Sequence, residues 1–172
     1  MSLDGYIADA DHGLEWLEKL PNPDGSDFGF EAHMASIDVV VMGRGTFDVV
    51  KDFRPWPYDK PVVVVSSTLT ETPADIATQV RIVQGTPAEV VAICNEEGLR
   101  HLYVDGGKLV TAFLEAGLID KLTISTLPVT LGAGIRLFGE MSKTTWWTHD
   151  ATTSYGGGMV QSIYLAEPTS SD

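Results

Sequence analysis

Short apolar runs separated by glycine, proline and small polar residues set the pattern of this chain. They predict strands at residues 39–42, 62–66, 80–83, 102–104, 122–127, 144–154 and 159–166. Between the first five of these the apolar positions fall at helical intervals. The clearest case places Leu109, Val110, Phe113, Leu114 and Leu118 on one face. A second helix is bounded on both sides: Thr86-Pro87-Ala88-Glu89 is a capping box with proline at the first helical position, and Gly98 closes it. Strands alternating with helices predict an α/β sheet with parallel members. The last two strands instead flank Gly156-Gly157-Gly158, which predicts an antiparallel hairpin and so a mixed sheet. Residues 53–61 carry three prolines and read as a loop, and residues 167–172 as a frayed tail. There is no internal repeat and no low-complexity linker.

With 172 residues, 44% of them hydrophobic, the chain predicts one well-buried domain spanning 1–172. Eleven Lys and Arg stand against 24 Asp and Glu, a formal net charge of −13. That balance argues against nucleic acid or an anionic membrane as partner, because both require clustered cations. No apolar run reaches the roughly 20 residues needed to span a bilayer. The segment MSLDGYIADADHG lacks the basic and apolar blocks of a signal peptide, so the expected location is cytoplasmic. Cys94, the one cysteine, sits in the helical pattern Val90, Val91, Ile93, Cys94 and is expected to be a buried thiol. His12, His33, His101 and His149 show no ligand spacing, and no metal site is expected.

Candidate chemistry gathers where strands end. Asp105-Gly106-Gly107-Lys108 joins a strand to a helix, and two glycines there let the backbone approach a ligand while the helix start offers unpaired N–H groups. Gly43-Arg44-Gly45-Thr46 repeats the junction with a guanidinium beside it. Ser66-Ser67-Thr68 ends a third strand in hydroxyls, at the edge where open α/β sheets bind ligands. Each junction alone is ordinary turn chemistry. Together they suit a ligand with several phosphates, such as a dinucleotide carrying a 2′-phosphate. Neither the Gly-x-Gly-x-x-Gly fingerprint nor the Walker lysine motif is present.

The order Ser2-Leu3-Asp4-Gly5-Tyr6-Ile7-Ala8, Met42-Gly43-Arg44-Gly45-Thr46-Phe47, Ser66-Ser67, Asp105-Gly106-Gly107 and Leu131-Gly132-Ala133-Gly134-Ile135-Arg136-Leu137-Phe138 resembles the dihydrofolate-reductase-like superfamily. Within it the chain is most similar to the reductase domain of the bifunctional riboflavin-biosynthesis deaminase-reductase, from residue 2 to about 165. The resemblance implies a central, mostly parallel mixed sheet flanked by helices, with NADPH as cofactor and a small-molecule substrate. It implies that Gly43, Arg44 and Thr46 hold the adenosine side, with Ser66 and Ser67 near the 2′-phosphate. Gly106, Gly107, Lys108 and Leu109 would line the pyrophosphate, and Ile7 and Ala8 would border the nicotinamide. The implied activity is reduction of 5-amino-6-(5-phosphoribosylamino)uracil, with reduction of a dihydrofolate-like pterin behind it. A nucleotide-binding module without turnover is the reading from a different class.

Hydride transfer to carbon also needs a proton source, for which Asp4, Asp27, Glu31 and Asp105 are candidates. By the resemblance, Asp105 matches a substrate-facing acid, and Asp27 lies where true dihydrofolate reductases bind folate. A solvated or capping carboxylate is the alternative for each. Where the riboflavin reductases carry an Asp-Asp-Pro element and a basic grip on the ribose phosphate, residues 48–57 leave Lys51 and Arg54 as phosphate partners. The His-x-Glu and Cys-x-x-Cys signature of zinc deaminases is absent. The family's first strand normally runs for several residues before Ser-Leu-Asp-Gly, so either that strand is short here, which would cost backbone pairing in the middle of the sheet, or the sequence is truncated. A homodimer is expected, through residues 122–127 or the hairpin with Trp146 and Trp147.

Overall fold

A computed structural model describes residues 1–167 and is built around four parallel strands. These are β2 (Val39–Gly43), β3 (Val62–Val65), β4 (Val80–Val83) and β5 (Leu102–Asp105), side by side in the order β4-β3-β2-β5. The valine runs of β2 and β3 do not alternate with polar residues because both faces of these strands are covered. Val40, Met42, Val62 and Val64 point to one face, where Met34, Phe47, Val50 and Ile76 close over them. Val39, Val41 and Val63 point to the other, against Val90, Cys94 and Phe113. The covering helices are α1 (Phe30–Ala35), α2 (Arg44–Val50), α3 (Pro87–Glu96) and α4 (Gly107–Glu115). The capping box at Thr86 is formed in both directions, and Cys94 is a buried free thiol whose pKa burial pushes up.

Antiparallel pairing is confined to the rest of the chain. In the C-terminal sheet, β6 (Lys121–Thr126), β9 (Val160–Ala166) and β8 (Trp147–Ser154) lie in the order β6-β9-β8. The triple-glycine turn of its hairpin has a steric reason: a Cβ on Gly157, whose φ is 79°, would lie 1.9 Å from the carbonyl oxygen of Pro21. Trp146 is 76% exposed and β8 is exposed along almost its whole length, whereas residues 122–126 of β6 are half-buried.

Three features differ from the pattern reading. Residues between β3 and β4 form no helix: they turn around Ile76, whose carbonyl accepts from Gln79 and Val80 while its side chain plugs the core. Pro73 and the polar residues around it leave no apolar helical face to bury. The strand expected from residue 144 begins at Trp147. A two-stranded ribbon of β1 (Tyr6–Ala8) and β7 (Ile135–Arg136) is too short for period-based detection. Ahead of β1, the Met1 carbonyl accepts from Leu127 at 2.8 Å, its ammonium donates to the Ser125 carbonyl, and the Leu3 N–H donates to the Val129 carbonyl at 2.7 Å, so this segment runs along the end of β6 and the residues after it. The frayed tail lies outside the described residues except for Glu167. Among the described residues no helix is long and apolar enough to cross a membrane.

Candidate functional site

The parallel register sets Met42 opposite Asp105 and Gly43 opposite Val65, so β2, β3 and β5 release their chains side by side at one sheet edge. Glycine lets these exits touch. A Cβ on Gly106, at φ 94°, would stand 2.3 Å from Thr46 Oγ1, whereas Gly43 faces the Leu109 Cβ at an ordinary contact distance, 3.8 Å from where its own Cβ would lie. Gly107 is buried, and a Cβ there would fall 2.0 Å from the Arg136 carbonyl oxygen. That contact holds β7 against the start of α4, and β7 carries β1 with it: Ala8 pairs with Ile135, and Gly134 packs on the Ala8 carbonyl. The structure thus gathers Gly43, Thr46, Gly106, Gly107 and Leu109 at this edge, with Ala8 linked to them through β7 and Ile7 beside it on β1. Exposed Lys108 stands at its margin. No side chain caps α4, so its first-turn N–H groups are left to a ligand or water.

Beside this patch runs a groove of about 600 Å³ lined by Arg44, Ser66, Ser67, Thr68, Gln84, Gly85, Thr86 and Glu89. Arg44 is half-exposed, donating from Nη1 to Thr68 Oγ1 at 2.7 Å and from Nε to Asp48 at 3.2 Å. Ser66 Oγ accepts from the Thr68 and Leu69 backbone N–H groups at 3.2 and 3.0 Å, so it forms the turn while Ser67 and Thr68 remain exposed. Glu89 is committed to the cap, where the backbone N–H and then the hydroxyl of Thr86 lower its pKa. One guanidinium among several hydroxyls suits a phosphorylated ribose.

The candidate acids separate by environment. Asp105 ends β5 two residues after Tyr103, hence on the same face of the strand. Desolvation raises its carboxyl pKa, opposed in part by the Gly106 N–H. Around it the Tyr58 and Tyr103 hydroxyls are held well above their ordinary range, by burial first and then by the charge of Asp105. His33 meets Tyr103 edge-on at 4.6 Å, and Trp56 meets Tyr58 at 5.3 Å. The Trp56 indole N–H is buried without a hydrogen-bond partner, an exception among buried polar groups. A carboxylic acid whose pKa is raised by burial holds its proton to higher pH than an ordinary carboxyl, the direction of tuning a proton donor needs.

Asp4 and Asp27 have structural work instead. Asp4 accepts from the Ser2 hydroxyl at 2.6 Å, Leu131 N–H at 3.1 Å and Gly132 N–H at 2.7 Å. The Ser2 bond first, then the two backbone donors, lower its pKa to about 2. Asp27 is exposed and accepts from Gly29 and Glu31 N–H groups at the start of α1, which lowers its pKa too. Both are stabilised as carboxylates, the opposite of a proton donor's tuning. The sign for Asp4 follows: its contribution to stability is present above the ordinary carboxyl range and is lost as pH falls through about 2. Asp4→Asn is therefore expected to lower Tm at neutral pH and to flatten its decline in acid. Circular-dichroism melts from pH 7 to pH 2 check this, and a wild-type slope in the variant would refute it.

Lys51 donates to Asp48 at 3.0 Å, and Arg54 pairs with Asp75 and bonds the Lys51 and Phe53 carbonyls. The motif reading named Thr68 with Ser66 and Ser67 but missed Tyr58 and Tyr103 as site residues. Tyr103 had a signal, its two-residue spacing from Asp105 on a strand; Tyr58 is brought in by the folded loop alone.

The model of the RibD C-terminal domain matches residues 1–161 of this chain. A crystal structure from Shewanella sp. PV-4, of a protein provisionally assigned to riboflavin biosynthesis, is 40% identical, with a TM-score of 0.92 over 98% of this chain and 96% of that one. The diaminohydroxyphosphoribosylaminopyrimidine deaminase/5-amino-6-(5-phosphoribosylamino)uracil reductase of Thermotoga maritima superposes at a TM-score of 0.73 with 13% identity. That match covers 96% of this chain but 54% of the bifunctional one. Dihydrofolate reductase from Enterococcus faecalis, complexed with NADP(H), superposes at 0.68 with 18% identity, covering 98% of this chain and 93% of that one. At such identities the last two likenesses speak to the fold.

Proposed function

This chain belongs to the RibD C-terminal domain family, and on that footing we propose that it is an NADPH-dependent reductase acting on a ribosylaminouracil-like or pterin-like nitrogen heterocycle. The observation that carries the reading is the meeting of three ligand-ready strand exits beside a desolvated acid, Asp105. The residues fit the cofactor: Arg44, Ser67 and Thr68 supply charge and hydroxyls for a 2′-phosphate, and the uncapped start of α4 supplies N–H groups for a pyrophosphate. Ile7 and Ala8, on the ribbon fastened to that helix, would border the nicotinamide. When bound, NADPH supplies a hydride. Tyr58 and Tyr103 exclude water from the acceptor, and Asp105 gives its proton to the atom next to the one that receives hydride. The balance is one hydride and one proton added across a C=N or C=O bond, with Asp105 reprotonated from solvent.

Titration of the purified protein with NADPH and NADH, followed by tryptophan fluorescence, tests the cofactor half. NADPH is expected to bind more tightly, and Arg44→Ala to cost about tenfold in NADPH affinity with little change for NADH, as for loss of one charge-assisted phosphate contact. Folded protein that binds neither would sink the reading. Oxidation of NADPH in the presence of candidate substrates then separates an enzyme from a nucleotide-binding module.

A further inference from the structure

We propose that Glu89 sets how far this groove prefers NADPH: its carboxylate accepts from the ribose 2′-hydroxyl of NADH and opposes the 2′-phosphate of NADPH. This rests on the reductase reading and concerns the cofactor side of the same site. Gly43 lies opposite Val65 and Val65 opposite Val83, so Arg44, Ser66 and Gln84 leave three neighbouring parallel strands at one edge. The Ser66 N–H donates to the Val83 carbonyl at 3.0 Å, which keeps the β3 and β4 exits together. The exits of β2 and β4 are two strand spacings apart, roughly 10 Å. Arg44 thus stands at one end of the groove and Glu89, beyond the turn Gln84-Gly85-Thr86, at the other, with Ser67 and Thr68 between them. Among the described residues that line it, Arg44 is the one cation and Glu89 the one anion.

Glu89 keeps one oxygen for its helix and one for a ligand. The Thr86 backbone N–H at 2.7 Å and the Thr86 hydroxyl at 2.9 Å both donate to Oε2, and among the described residues no hydrogen bond reaches Oε1. Glycine at position 85 leaves the carboxylate uncovered, since a Cβ there would fall 3.1 Å from the Glu89 Cβ and 3.2 Å from Oε2. An acidic side chain on the ribose 2′-hydroxyl selects NADH, and an arginine on the 2′-phosphate selects NADPH. This groove carries one of each. Arg44 is partly spent, with Nε on Asp48 and Nη1 on Thr68. Toward a 2′-phosphate lodged on the Ser67 and Thr68 hydroxyls, Arg44 is attractive and Glu89 repulsive. Toward the bare ribose, Arg44 loses its phosphate and Glu89 gains a hydroxyl donor. The protein therefore takes both cofactors, with a narrow preference for NADPH.

The test measures Kd for NADPH and NADH, by tryptophan fluorescence at low and high salt, in wild type, Glu89→Gln and Ala88→Gly. Glutamine still accepts from the Thr86 N–H, so the capping box survives that exchange. Wild type is expected to prefer NADPH by less than about tenfold. In Glu89→Gln, NADPH is expected to bind about fivefold more tightly at low salt, the gain shrinking as salt screens the groove, and NADH no more tightly than before. Ala88→Gly loosens the same helical turn from outside the groove, and should lower Tm while leaving the preference where it was. A ratio of the two Kd values in Glu89→Gln within about twofold of wild type would overturn the inference. An equal shift in Ala88→Gly would overturn it too, since Glu89 would then act through its helix and not as a charge. Folded protein that binds neither cofactor would instead remove the reductase reading itself, and this inference with it.

Discussion

Asp105→Asn is expected to lower kcat by about 10²- to 10⁴-fold, the usual worth of a positioned general acid, while the folded protein still binds NADPH. Asparagine keeps the shape and polarity of the side chain and removes only the transferable proton. Because desolvation raises the Asp105 pKa, the active, protonated form persists above the ordinary carboxylate range, and wild-type kcat/KM should fall as pH rises through the raised value. That limb should be missing from the variant. Stability should move the other way. A carboxyl whose folded pKa is raised contributes stability below its unfolded pKa, and this is lost as pH rises through the folded one. At neutral pH the native Asp105 is therefore a burden to the fold, and Asp105→Asn should melt no lower than wild type. Lost turnover with undiminished Tm separates a catalytic group from a structural one. A kcat within about threefold of wild type would remove Asp105 from the mechanism.

Legibility in the sequence followed the range of the interactions involved. The valine runs of β2 and β3, the capping box at Thr86 and the glycine hairpin at residues 156–158 are written in neighbouring residues, and the structure has them where the pattern puts them. The turn around Ile76 is not local: its one buried side chain is placed by the core, with no periodicity to betray it. The same holds for the β1–β7 ribbon, whose partners lie far apart in the chain. Among the candidate site residues, position was legible and chemistry was not. Asp4, Asp27 and Asp105 are equal as letters. They part company because two accept several hydrogen bonds as carboxylates while the third sits between tyrosines. Those neighbours come from other segments, and a carboxyl's pKa belongs to its neighbours.

The glycine pair shows how one motif can hold two different constraints. Gly107→Ala is expected to cost about 1–3 kcal/mol by overpacking, which for a chain of this length lowers Tm by about 2–12 °C. The added Cβ would meet the backbone carbonyl of Arg136, which no rotamer change can move. Either the start of α4 or the two-residue strand β7 must shift, and β7, a short strand paired with the three-residue β1, is the weaker partner. At Gly106 the obstacle is the Thr46 hydroxyl, a side chain that can be removed, together with a φ of 94° that an L-residue resists. Gly106→Ala should therefore be partly rescued by Thr46→Ala, and Gly107→Ala should not be. Thermal melts of the two single and two double variants decide this, and a wild-type Tm for Gly107→Ala would contradict the packing account. It follows that loss of NADPH binding on substituting Gly107 would report displacement of β7 and the nicotinamide side with it. Arg44, a half-exposed side chain outside the core, is the cleaner probe of contact with the cofactor's phosphate.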